Sequence, residues 1–258
     1  MGLKSKVAVI ILLIIILLTT GLLAINHWNR ITDDSEQQNS NAEFIGLPQN
    51  TETDSNTNLG QANTNSTPTP LPQSFKLKVP FLIQAPYGIW DPLHEDACEE
   101  ASLLMYYYFF KQRLDVPASE YDQEIIRLID YEANHGYGIS ITLSELSLLA
   151  KSQYPELGNP RIEKNVTIEK LQRELSSGRP IIIPAAGRLL ENPNFKNGGP
   201  IYHMLVITGY DQQNFITNDP GTKNGYDYTY PKEIIMDAIH DWDPTDILLG
   251  EKAYLVFD

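Results

Sequence analysis

The chain has 258 residues, 33 acidic against 19 basic side chains, a formal net charge of −14 and one cysteine. No basic stripe balances that charge, which argues against a nucleic-acid partner, since phosphate backbones are bound by clustered Lys and Arg. One cysteine excludes an internal disulfide framework.

Residues 7–25 form a run of 19 positions without a charge. That is about the length of helix needed to cross the hydrocarbon core of a bilayer. Lys4 and Lys6 precede the run and only Arg30 follows it closely, so the charge bias keeps the short end in the cytoplasm. The predicted arrangement is a single-pass anchor in the cell membrane, ending near residue 30, with the remainder extracytoplasmic. A cleavable signal peptide, cut after Thr19, Thr20 and Gly21, is the competing reading and makes the protein secreted. The continuation of the run through Leu22, Leu23 and Ile25 favours the anchor. Residues 31–74 are dominated by Asn, Thr, Ser, Gln and Pro. Such a stretch buries too little apolar surface to offset its ordering entropy, so it reads as a solvated stalk stiffened by "TPTPLP". Residues 75–258 are enough chain for one domain with a sizeable core, without internal repeats and read as monomeric.

Within that domain, alternating Phe75, Leu77 and Val79 predict a strand that Pro80 breaks. A polar, aromatic loop leads to "CEEASLLMYYYFFKQR" (98–113), whose nearly all-apolar middle predicts a buried central helix. Glu99 and Glu100 fall in its first turn, where they complement the helix dipole, and "MYYYFF" reads as core and as a wall of a substrate site. Further helices are predicted over about 118–133, 143–153 and 167–177, the second opened by a capping box of Thr142 and Glu145. Residues 179–187 predict a buried strand. "IYHMLVITGYD" and "NFITNDPG" predict a hairpin that ends in an Asp-Pro-Gly turn. A helix over 231–242 and a last strand, "KAYLVFD", complete the domain. Helices come first and most strands later, an α+β order rather than a doubly wound one.

An unpaired thiol outside the cytoplasm is either buried and inert or kept for chemistry. Cys98 opens a helix, where backbone donors favour a thiolate, yet Glu99 and Glu100 oppose it. A reactive Cys98 therefore needs a local cation, and an imidazolium is the usual one. Among five histidines, His203 opens an otherwise apolar strand, "HMLVITG". Asp219 follows at the end of the paired strand, where the hairpin brings it near His203 and lets it fix the ring's tautomer. Taken singly, each has an ordinary alternative: a locally bonded histidine, and an aspartate in a turn. "HEDACEE" lacks zinc-site spacing, and its acids are explained by the helix start.

Together, a cysteine starting a helix, a histidine starting a strand and an acid ending its partner follow the papain-like order. With "VPFLIQAP", "ACEEASLLM", "YHMLVITGYD" and "FITNDPG", the chain resembles the clan CA cysteine peptidases of family thirty-nine, the bacteriocin-processing type, especially stand-alone members without a transporter. The resemblance implies a papain-like α+β fold and a thiol peptidase acting on a peptide or protein. It implies Cys98 as nucleophile, His203 as base and acid, Asp219 as orienting residue and Gln84 as an oxyanion donor, with no cofactor or metal. One departure stands out: Glu99-Glu100 replaces the Gly-Pro that usually follows the cysteine, which predicts an acidic groove beside the thiol. A non-catalytic peptide-binding module and a cell-wall amidase or endopeptidase are the alternatives on the same fold.

Overall fold

The computed structural model describes residues 70–258. The predicted anchor and all but the last few residues of the predicted stalk lie outside the described residues. Among the described residues, no helix is long and apolar enough to cross a membrane.

A two-residue strand, β1 (Phe75–Lys76), precedes an irregular segment and three helices: α1 (Cys98–Phe110), α2 (Ala118–His135) and α3 (Leu143–Gln153). There follow β2 (Pro160–Lys164), α4 (Ile168–Ser176), β3 (Ile181–Ala186), β4 (Tyr202–Tyr210), β5 (Asn214–Asn218), β6 (Tyr228–Pro231), α5 (Lys232–Ala238) and β7 (Ala253–Phe257). All pairings are antiparallel. The order across the sheet is β2-β7-β3-β4-β5-β6, with β1 added along β4.

Local chemistry explains where the helices begin and end. The α3 capping box forms as predicted: the Thr142 side chain accepts from the Glu145 N–H, and the Glu145 carboxylate accepts from the Thr142 N–H. Thr167 caps α4 by accepting from the Lys170 N–H. In α2, Tyr121, Ile125, Leu128 and Glu132 form the buried face. That helix stops where Gly136 adopts φ 75°, a left-handed cap that glycine reaches without a Cβ clash.

Every residue of β3 and β4 is buried, so the centre of the sheet is covered on both faces. Alternation decides which face each residue serves. Ile182, Met204, Val206 and Leu255 pack with α1, α2 and α3, whereas Ile181, Ile183, Leu205, Ile207 and Val256 pack with α4 and α5. Each such aliphatic side chain contributes roughly 1.5–3 kcal/mol by leaving water. α1 is wrapped by this first layer, with Ala101, Leu103, Leu104 and Met105 fully enclosed.

Several expectations change. The first strand is paired only at Phe75 and Lys76, opposite Tyr210 and Gly209. The last helix ends at Ala238, because Ile239 turns extended and bridges to Ala185. The strands β2 and β6 were not predicted. β2, "PRIEK", is a charged edge strand, and β6, "YTYP", is short and ends in proline.

Candidate active site

The start of α1, the start of β4 and the turn after β5 surround a cleft of about 870 Å³, lined by Cys98, Gln84, Glu99, His203 and Gly221. The sheet register explains the meeting of β4 and the turn. Val206 pairs with Asn218, so Asp219 continues toward the beginning of β4, where His203 lies. His203 Nε2 is 2.7 Å from Asp219 Oδ1, with both residues buried. An ionised carboxylate only accepts, so Nε2 carries the proton and Nδ1 is left as the basic nitrogen.

Asp219 is fully enclosed, yet its carboxyl is held below the usual carboxylate range. Burial alone pushes it up; the charge of His203 and the donated hydrogen bonds outweigh that. Tyr230 donates its O–H to Oδ2 at 2.6 Å, Asn192 donates Nδ2–H to Oδ2 at 3.3 Å, and the Gly221 N–H reaches Oδ1 at 3.0 Å. Asn192 also donates to the Tyr230 oxygen at 2.7 Å, so the two support each other. Sequence reasoning missed both. The Phe195 ring meets the imidazole edge-on at 5.3 Å. Gly221 passes directly beneath it: a Cβ there would lie 2.8 Å from His203 Cε1.

Cys98 is the first residue of α1 and is 6 % exposed. Its thiol donates to the carboxylate of its own neighbour, Glu99 Oε2, at 2.9 Å. Burial pushes the thiol well above its ordinary range, Glu99 pushes it further, and the Met204 N–H acts the other way. Burial and the neighbouring acids thus disfavour the thiolate, despite the helix N-terminus. The acidic groove predicted from Glu99 and Glu100 is made by different residues in part: Glu99 lines the cleft together with Glu95 and Asp96, whereas Glu100 is buried away from it. Glu100 instead lies near Glu132 on α2, and Glu100 Oε2 and Glu132 Oε1 are buried without a hydrogen-bond partner among the described residues. "MYYYFF" is largely core and contributes nothing to the cleft wall.

Gln84 is brought in by its backbone N–H, which donates to the Pro220 carbonyl at 3.1 Å. Its buried side-chain Nε2 lies 2.9 Å from the carbonyls of both His94 and Glu95, and its Oε1 has no partner. A carboxamide has two N–H donors. An oxyanion role requires that the two carbonyls share one of them or that one carbonyl lets go. His94 is itself held between Asp91 and Asp122, at 2.9 and 3.0 Å. Among the described residues, no group of three or more His, Cys, Asp or Glu side chains is arranged to hold a metal.

The cleft carries charges of both signs. Glu95, Asp96 and Glu99 line it, as do the exposed Arg188, Lys196 and Lys223. Lys196 stands over the Trp90 ring at 5.9 Å.

No curated protein matches the chain. Among solved structures, it is similar to a Bacillus anthracis protein provisionally named a C39-like peptidase. That likeness has 20% sequence identity and a TM-score of 0.49, covering 72% of this chain and 98% of the other. A family model matches residues 76–246, which takes in Gln84, Cys98, His203 and Asp219. On that match the chain belongs to the Peptidase_C39 like family.

Proposed function

We propose that the protein is a cysteine peptidase that hydrolyses peptide bonds with Cys98 as nucleophile, His203 as general base and acid, and Asp219 as the orienting residue. The observation that carries the reading is the buried 2.7 Å contact between His203 and Asp219, at a cleft that Cys98 also lines. With Nε2–H committed to Asp219, Nδ1 takes the thiol proton. The thiolate attacks the peptide carbonyl carbon, a C–S bond forms, and the carbonyl electron pair moves onto oxygen. When that pair returns, the C–N bond breaks and Nδ1–H gives its proton to the leaving amine. Water then enters, loses a proton to Nδ1 and releases the acyl group from sulfur. Family membership supports this reading, as does the hydrogen-bonded enclosure of Asp219.

The uncharged run over residues 7–25 supports a membrane anchor that holds the domain outside the cytoplasm on the stalk. A second reading, a peptide-binding module without turnover, is favoured by the thiol held on Glu99 and the engaged amide of Gln84. The two readings separate in one experiment. An electrophilic peptide probe should label Cys98, and a fluorogenic peptide should be cleaved by the wild type but not by Cys98→Ala. Binding of peptides without cleavage at any pH would leave the binding module standing and remove the peptidase.

A further inference from the structure

Glu99 is a buried carboxyl in the cleft that the Cys98–His203–Asp219 scheme does not use. It is 2 % exposed and makes no ion pair among the described residues. Its orientation is fixed at both oxygens: Oε2 accepts from the Cys98 thiol at 2.9 Å, and Oε1 accepts from the backbone N–H of Ile141 at 3.2 Å. A surface glutamate at a helix start satisfies the dipole and stays in water. This one has left water and taken the nucleophile's hydrogen as a partner.

We propose that Glu99 is a positioning residue that governs the thiol: as a carboxylate it keeps the proton on Cys98, and once protonated it releases the thiol to His203. The inference rests on the reading of Cys98 as nucleophile and His203 as its base.

The groups around Glu99 explain why it acts this way. Cys98 and Glu100 come from its own helix, and Glu132 comes from α2. Tyr202 comes from β4, with its O–H on the Ile141 carbonyl at 2.9 Å and close to Asp241, which follows α5. His203 lines the same cleft. Every charged neighbour except His203 is an acid. A thiolate formed beside ionised Glu99 would place two negative charges in contact inside the protein, where water screens them little. When Glu99 takes a proton from solvent, its O–H becomes a donor toward sulfur. The Cys98 S–H bond then breaks and an N–H bond forms at His203 Nδ1. The resulting thiolate faces the Glu99 O–H, the Met204 N–H and the imidazolium. Burial pushes the Glu99 carboxyl up to about 7, so this exchange falls near neutrality.

The test uses the full chain, in which Cys98 is the only cysteine, and iodoacetamide as the probe, with alkylation rate followed against pH. In the wild type the rate should peak below about pH 7, dip above it, and rise again only in alkali. Glu99→Gln keeps the shape and an acceptor for Ile141 but removes the charge. It should lack the dip and react about tenfold faster just above neutrality, the equivalent of one pKa unit. A Glu99→Gln profile superimposed on the wild type, or slower than it, would overturn the proposal in favour of a helix tether. A second readout needs no change at Glu99. Thiolate absorbance of the wild type, with Cys98→Ala as baseline, should fall as pH rises through neutrality before climbing in alkali; a monotonic climb overturns the proposal too. His203→Ala separates this inference from the reading beneath it. If the acid-side peak survives that change, His203 is not the partner and the triad reading fails. If His203→Ala abolishes the peak while Glu99→Gln changes nothing, the triad stands and the role of Glu99 falls.

Discussion

The Glu100–Glu132 pair makes the domain's stability depend on pH in a direction opposite to that of most carboxylates. Glu100 on α1 and Glu132 on α2 are 2 % and 4 % exposed, and each has a buried carboxyl oxygen without a hydrogen-bond partner among the described residues. Burial pushes Glu100 well up, and Glu132 beside it adds to the shift. Burial pushes Glu132 up to about 7 from an ordinary 4.5. The folded state therefore binds the Glu132 proton more tightly than the unfolded chain does. Below about pH 4.5 both states are protonated and nothing is lost; between there and about 7 the folded state holds more protons, so stability falls as pH rises. At 1.36 kcal/mol per unit, the displacement of about 2.5 units costs on the order of 3 kcal/mol once pH exceeds 7. Glu99 titrates in the same window and adds to the decline. Glu132→Gln keeps the size of the side chain beside Glu100 while removing the ionisation. Urea unfolding of a fragment from residue 70 onward, repeated from pH 5 to pH 8, should show a steep loss in the wild type. Glu132→Gln should show a shallower loss, with the two proteins close at pH 5 and the variant ahead at pH 8. Parallel curves would refute the argument, because they would mean that Glu132 does not change its proton affinity on folding.

Tyr230→Phe removes one donor from the buried Asp219 carboxylate, a bond of the class worth about 1.5–3 kcal/mol. Asp219 sits below its ordinary range, so its stabilising charge is present at neutral pH and lost only in acid; the variant should lose it at a higher pH, read as an upward shift of the acid limb of kcat/KM. Gln84→Ala should lower kcat on the order of a hundredfold if the amide donates to the oxyanion, while also loosening the turn over His94 and Glu95. Steady-state kinetics alongside a thermal melt separates the two effects, and unchanged kcat removes Gln84 from the chemistry.

Much of this site was legible before the fold because it depends on a local device. A hairpin of two apolar runs places the start of one strand near the end of the next, so His203 and Asp219 could be paired from their positions alone. The same patterning exposed α1, α2, α3 and α4 through their periodicity and, for α3, through its cap. What the sequence did not disclose arrives from outside such devices. Tyr230 lies on β6, four residues ending in proline, and Asn192 lies in a loop; neither carries a periodic signal. Their convergence on Asp219 depends on β5–β6 pairing and on the path from β3 to β4, both long-range matters.

Glu99 and Glu100 show the sharper limit. Two consecutive acids at a helix start read as a solvated first turn, because that is where the dipole favours them. α1, however, is the central helix, packed against β4, α2 and α3, and its first turn has no solvent side. Consecutive residues on a helix point about a hundred degrees apart, so the two acids enter different surroundings: Glu99 faces the thiol and the Ile141 N–H, and Glu100 faces Glu132. The same helix dipole that would favour a thiolate at Cys98 is thus opposed by a carboxylate one residue away. In the proposed mechanism, the reactivity of the thiol is set by which of two groups at the cleft, Glu99 or His203, carries the proton. The order of residues along the chain could point to the histidine, whereas only the burial of α1 brings the glutamate into the argument.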